Sequence, residues 1–343
     1  MKTAVLICPG RGSYTKTELG SLARFPDPAL LARIDAARTA QGQETLTALD
    51  GAPGYSLSRH TRGDNASALI YACSLGDSLS LQDIDLVAVT GNSMGWYSAL
   101  ACAGALTPEA GFEVVNTMGT LMHETMIGGQ LIYPFLGPDW RPDPARKAAL
   151  LAITAQIDAR EGHILRLSID LGGMLVLAGN EAGLAAFEAA VPPLDARYPM
   201  RLGNHAAFHT DLQAPVAAKG RALLPAQIFN GPALPLIDGR GHVWWPGATD
   251  PAALHAYTLG HQVTETYDFS AAIRTAAQEF APDLFIVTGP GTTLGGAVAQ
   301  SLILCNWQGL GGKSDFQTRQ ETDPILISMG LPAQRAMVTA NSP

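Results

Sequence analysis

The chain has 343 residues, 47% hydrophobic and 15% charged, with a formal net charge of −8 at pH 7. That content supports a large core, and the length suggests about two domains or one domain carrying an insertion. An acidic balance without a dense Lys/Arg run lacks the electrostatic footprint of a nucleic-acid binder.

Residues 3–8 read as a first strand that enters a glycine loop, PGRGS (9–13). The run before that loop is too short for a signal peptide, and no 18-residue apolar stretch occurs, so no membrane span is expected. Cys8, Cys73, Cys102 and Cys305 are widely spaced and form no C-x-x-C pair. They read as buried small hydrophobes in a reducing compartment, and a soluble, cytoplasmic protein is expected. No H-E-x-x-H or clustered His/Cys/Asp spacing appears, so no metal site is expected.

From about 28 to 110 helical patterns alternate with one β-branched apolar strand, 84–90 (IDLVAVT). That strand runs into Gly91-Asn92-Ser93-Met94-Gly95, followed by the small-residue helix pattern WYSALACAGAL. Strand, G-x-S-x-G turn and helix make a nucleophile elbow: the glycines allow a tight reversal and the serine is held exposed at a helix N-terminus. There the helix dipole and a backbone N–H favour a developing oxyanion.

The texture changes near Gly129. Strand-like 130–135 precedes an amphipathic helix over 144–160, two strands over 164–169 and 174–178, a helix over 180–191 and a strand over 198–202. The order βαββαβ is the ferredoxin-like unit, inserted in a larger α/β body with crossings near Gly128 and Gly203. The body resumes with 205–224, then a Pro/Gly-rich stretch (225–251) whose Trp244-Trp245 pair either covers a tunnel or plugs a gap. A helix over about 269–281, a strand over 284–287 and the turn Gly289-Pro290-Gly291 follow. The tail after Leu310 reads as an irregular wrap or flexible end.

A serine is a weak nucleophile without a base in hydrogen-bond reach. Among eight histidines, His209 follows a loop and opens an apparent helix in HAAFHTDLQAPVA, with His205 and His261 as rivals on spacing.

Five segments, in order, resemble motifs of the malonyl-CoA:acyl carrier protein transacylase family, which includes the acyltransferase domains of fatty acid and polyketide synthases. CPGRGSY is similar to F-P-G-Q-G-S-Q, GNSMGWYSAL to G-H-S-L-G-E-Y-S-A-L, and AFHTDLQAP to P-F-H-T-x-L-M-x-P. HQVTETYDF is similar to Q-L-T-S-P-V-x-W, and VTGPGTTLGG to E-x-G-P-G-x-x-L. The resemblance implies an α/β-hydrolase-like subdomain (1–128 and 204–310), a ferredoxin-like insertion (129–203) and a C-terminal tail (311–343). It also implies ping-pong acyl transfer: Ser93 attacks a thioester with His209 as general base, and a second thiol takes the acyl group from Ser93. The substrates would be acyl-CoA and a phosphopantetheinyl acyl carrier protein, with no bound cofactor. A backbone carbonyl at or near Gln262 would orient His209, so Asp211 is not promoted to a triad acid. The oxyanion hole would be the N–H groups of Arg11 and Met94.

The chain departs from the family at residues that face the substrate there. Met118, in Met118-Gly119-Thr120-Leu121-Met122-His123, stands where malonyl-specific members carry an arginine. Methionine pairs with no anion, and a desolvated carboxylate without a partner costs several kcal/mol. Asn92, Trp96 and Met118 are expected to line a changed acyl pocket. Arg11, in place of a glutamine, reads either as a relocated positive charge for a carboxylate or CoA phosphate, or as a solvated surface arginine. The leading expectation is an acyl-CoA:acyl carrier protein S-acyltransferase not selective for malonyl. Its rivals are a thioesterase on the same Ser–His pair and a catalytically weak carrier-protein docking subunit.

Overall fold

The computed structural model describes residues 1–340. Eleven strands form two sheets among these residues. The larger has the order β11-β10-β1-β2-β7-β8: β1 (Lys2–Cys8), β2 (Ile84–Gly91), β7 (Leu236–Ile237), β8 (Val243–Trp244), β10 (Leu284–Val287) and β11 (Leu326–Ser328). All neighbours are parallel except β7 and β8. Ala4 to Cys8 and Leu284 to Val287 are buried without alternation, as strands covered by helices on both faces must be.

The smaller sheet has the order β6-β3-β5-β4-β9: β3 (Gly129–Pro134), β4 (Leu165–Leu171), β5 (Met174–Gly179), β6 (Met200–Arg201) and β9 (Tyr267–Asp268). Its first four members are antiparallel neighbours. In chain order they lie 4-1-3-2, the arrangement of a βαββαβ unit. Its strands follow the period of two. Leu131, Tyr133, Leu175 and Leu177 point into a small core with Leu150 and Ile157 of the Pro144–Asp158 helix and Phe187 of the Glu181–Ala190 helix. Ile132 and Val176, one residue out of phase, point the other way into the main core. One sheet thus serves two cores, and its exposed edge is extended by β9, which pairs parallel with β4.

Several elements differ from the sequence reading. The tail is structured: β11 is the edge strand of the large sheet, with Ile325 and Ile327 buried beside β10, and a helix covers Lys313–Thr322. That helix buries only Phe316 and so carries no apolar periodicity to read. Residues 341–343 of that stretch lie outside the described residues. The Pro/Gly-rich stretch supplies β7 and β8, which are two residues each and exist through pairing, β7 with β2 and β8 with β7. The strand expected over 198–202 is shortened to β6 because Tyr198 donates its N–H to Leu194 in a turn. Among the described residues no helix is long and apolar enough to cross a membrane.

What positions the site is contact between backbones at the carboxyl ends of β1 and β2, where Cys8 and Gly91 are paired. A Cβ on Gly95 would lie 2.1 Å from the Cys8 carbonyl oxygen, and one on Gly10 would lie 2.6 Å from that of Asn92. The elbow and the PGRGS loop therefore touch where a side chain cannot go. Gly95→Ala should lower stability by about 1–3 kcal/mol in urea unfolding. Gly296→Ala, where a Cβ meets nothing within 4 Å, should leave it unchanged or raised. Equal behaviour of the two variants would refute the close-contact account.

Candidate active site

Ser93 sits between β2 and the Gly95–Cys102 helix with φ of 56°, a left-handed conformation uncommon for a residue with a side chain. His209 has the same φ of 56°. Such conformations cost about 1–3 kcal/mol each and persist only where the surroundings hold them.

The surroundings are specific. Ser93 Oγ lies 2.7 Å from His209 Nε2, and His209 Nδ1 lies 2.6 Å from the Gln262 carbonyl oxygen. A carbonyl can only accept, so Nδ1 carries the ring proton and Nε2 accepts from the serine hydroxyl. The Gln262 side chain completes the arrangement: its Nε2 donates to the Ser93 carbonyl at 3.1 Å and its Oε1 accepts from Tyr97 OH at 3.0 Å. Tyr267 OH donates to the Gly91 carbonyl at 2.5 Å, with its ring centroid 5.4 Å from that of His209. Burial holds the His209 pKa down to about 4, with the bond to Gln262 opposing and His261 reinforcing the shift. At neutral pH the ring is therefore an unprotonated base.

The Met94 and Arg11 amides donate to no acceptor among the described residues, and both residues line the cavity at Ser93. The rival histidines are engaged elsewhere. His205 Nδ1 lies 2.8 Å from Gln130 Oε1, and His261 is stacked 5.5 Å from Tyr257. Asp211 is exposed, with its nearest cation, Arg166, 3.9 Å away.

A narrow cavity of about 20 Å³ opens on Ser93 and His209, walled by Arg11, Tyr97, Met122 and Phe208. Three residues expected in that wall are not there. Met118 is fully buried, its sulfur packed against Gly220 of the Ala214–Leu223 helix. Trp96 is fully buried and donates Nε1–H to Thr258 Oγ1 at 3.0 Å. Asn92 is tucked under the glycine loop beside Gly10. The wall is instead Met122, one helical turn beyond Met118, and Phe208, the neighbour of His209. Both lie inside segments that the sequence reading singled out, but neither was expected in the wall; the i to i+4 step from Met118 along the Pro108–Thr125 helix is the signal that reaches Met122. Arg11 lies in the wall, only partly exposed, rather than extended into water. Trp244 donates Nε1–H to Asp238 and packs near Tyr257, while Trp245 is half-exposed beside Phe280. Neither tryptophan reaches the cavity.

No family model matches the chain. Among curated proteins it is 27% identical to the malonyl CoA-acyl carrier protein transacylase of Bacillus subtilis over 210 residues. That alignment spans 61% of this chain and 62% of the Bacillus protein. Among solved structures, a malonyl-CoA:acyl carrier protein transacylase of Xanthomonas oryzae superposes with a TM-score of 0.72 at 19% identity, covering 98% of this chain and 97% of that one. The chain has the transacylase fold. A type II polyketide synthase malonyl-transacylase solved in complex with its acyl carrier protein covers both chains completely, with a TM-score of 0.73 at 18% identity. The curated relatives and structural neighbours are malonyl-CoA:acyl carrier protein transacylases and polyketide synthase acyltransferase domains.

The depressed histidine has a kinetic signature. A lowered pKa keeps Nε2 unprotonated to lower pH, so Ser93 acylation should hold its rate as pH falls through 6.5 and decline only towards about 4. Initial rates of adduct formation between pH 4 and 8 would read this. A half-loss at or above 6.5 would mean the ring is solvated rather than buried.

Proposed function

We propose that this chain is a thioester:acyl carrier protein S-acyltransferase that works through acyl-Ser93, with His209 as general base, and that it is not selective for malonyl. The observation that carries this reading is the Ser93–His209–Gln262 chain of hydrogen bonds, 2.7 and 2.6 Å long, in a transacylase fold. His209 Nε2 takes the hydroxyl proton as Ser93 Oγ adds to the thioester carbonyl. The negative charge that develops on the carbonyl oxygen faces the Arg11 and Met94 amides, a contribution of about 3–4 kcal/mol per donor in comparable sites. Collapse expels the thiolate, which His209 protonates, and the pantetheine thiol of a carrier protein then enters by the reverse path.

The third member of the chain is a carbonyl rather than a carboxylate, so the imidazolium is stabilised by a dipole alone. That suits a thiol leaving group, which departs at a far lower pKa than an amine and needs less proton transfer. The donor is an acyl-CoA of short chain, because the cavity holds about one water as it stands. Malonyl has no dedicated partner on the Pro108–Thr125 helix, because position 118 carries a fully buried methionine and no cation. Small volume and an enclosing wall also favour a thiol over bulk water as acceptor.

Intact-protein mass spectrometry after mixing with acetyl-, malonyl- and longer acyl-CoA tests this. An adduct should form on the wild type, be lost in Ser93→Ala and slow by about 10²- to 10⁴-fold in His209→Ala. It should persist in buffer, discharge onto holo carrier protein, and form with donors other than malonyl as well. Discharge in buffer alone would make the protein a thioesterase. No adduct with any donor would leave a docking subunit.

A further inference from the structure

The guanidinium of Arg11 is a cation in the wall of the cavity without an anion. Its Nη2 donates to the Thr61 carbonyl oxygen at 2.9 Å, and its Cζ lies 5.6 Å from the Phe208 ring centroid. Those contacts hold the group against the cavity but satisfy one nitrogen only. Nε is shielded from solvent and has no hydrogen-bond partner, and Nη1 donates to none among the described residues. No carboxylate forms an ion pair with it among those residues. Asp64 attracts it from a distance but is engaged by Arg62 at 3.1 Å. His205, the other ionisable group facing it, is neutral, its pKa held down to about 3 by burial and by Arg11 itself.

A buried N–H left unpaired costs about 1–3 kcal/mol, more on a charged group. Here burial also lowers the guanidinium pKa to about 10, so the charge is retained at neutral pH although poorly solvated. What such a group lacks is an acceptor carrying negative charge, delivered from the cavity side. The cavity leads to Ser93, so the ligand that reaches it there is the acyl end of the thioester.

We infer that Arg11 is the specificity-determining residue of this site and takes the carboxylate of a short dicarboxylic acid monothioester. The inference rests on the acyl-transfer reading above and refines it: carboxyacyl groups are preferred as a class, and malonyl has no privilege within that class. The planar fork of arginine suits a carboxylate. Of the cavity walls, Met94 and Met122 are the unbranched, adaptable side chains that can give way to admit the extra atoms. The positive charge thus stands on the loop after β1, beside the oxyanion donors, while helix position 118 carries none.

The test uses thioesters of N-acetylcysteamine, which lack the phosphates of coenzyme A, so a charge preference can only come from the acyl group. Rates of Ser93 adduct formation are compared for malonyl and succinyl thioesters against propionyl and butyryl. The wild type should favour the carboxyacyl member of each pair by tenfold or more. Arg11→Gln should cut that ratio by at least tenfold, whatever happens to the neutral rate, and Arg11→Lys should restore part of it. Free succinate should slow neutral acylation of the wild type, where butyramide does not, a readout that needs no variant to fold. An unchanged ratio in Arg11→Gln, or no protection by succinate, overturns the inference while leaving acyl transfer standing. No adduct from either series overturns both; an Arg11→Gln loss that is equal for malonyl-CoA and propionyl-CoA and absent from the N-acetylcysteamine series overturns the inference and assigns Arg11 to a phosphate instead.

Discussion

Gln262 is the point on which the site depends, because one residue holds both reacting partners by different atoms. Its backbone oxygen fixes the His209 tautomer, and its side-chain amide holds the Ser93 carbonyl. The register of the two left-handed residues is therefore set jointly. If the short helix His261–Thr264 shifted, the imidazole and the elbow would move together rather than apart. The helix is in turn fixed by Tyr97, which follows the elbow and reaches back to Gln262 Oε1. A closed circuit of hydrogen bonds from 93 through 209 and 262 to 97 resists the strain at Ser93 and His209 better than any single bond could.

The same economy explains the glycines. The nucleophile must stand clear of its strand, yet the amides proposed to meet an oxyanion belong to two separate loops. Both requirements are met only if those loops pack backbone on backbone, which Gly10 and Gly95 permit and any Cβ would prevent. Asn92 reinforces the seam through its N–H to the Cys8 carbonyl at 2.9 Å. The small sheet closes the other side: β9 carries Tyr267, whose hydroxyl binds the Gly91 carbonyl. The pairing of β9 with β4 thus ties the inserted unit to the elbow.

How much of this was legible in the sequence follows from how local each signal is. The elbow, His209 and the βαββαβ order are written in contiguous residues, and the structure brings Ser93, His209 and Gln262 together as their segments implied. Strands β7, β8 and β11 were not legible, since two or three residues acquire strand geometry only from a partner. The cavity wall was misread by one helical turn, at Met118 instead of Met122. A sequence position aligned to a family motif says which residue is there, but not which way its rotamer points. Arg11 was the opposite case: the residue was visible, but water or cavity could not be decided until Phe208 and Thr61 were seen to hold it.

Placing a cation on the oxyanion loop has a consequence that a helix-borne arginine would not share. The loop proposed to supply an amide to the reacting carbonyl also carries the Arg11 charge into the same cavity wall. Charges there interact far more strongly than in water. An unoccupied guanidinium would stabilise any developing oxyanion nearby, whereas an acyl carboxylate bound to it would neutralise that field. A carboxyacyl substrate therefore gains more in binding than it loses in activation, while a neutral one binds less well but meets the full field. Selectivity in such a site resides in the balance between KM and kcat, and Thr61, by holding Nη2, sets how much of the charge is left to spend on either.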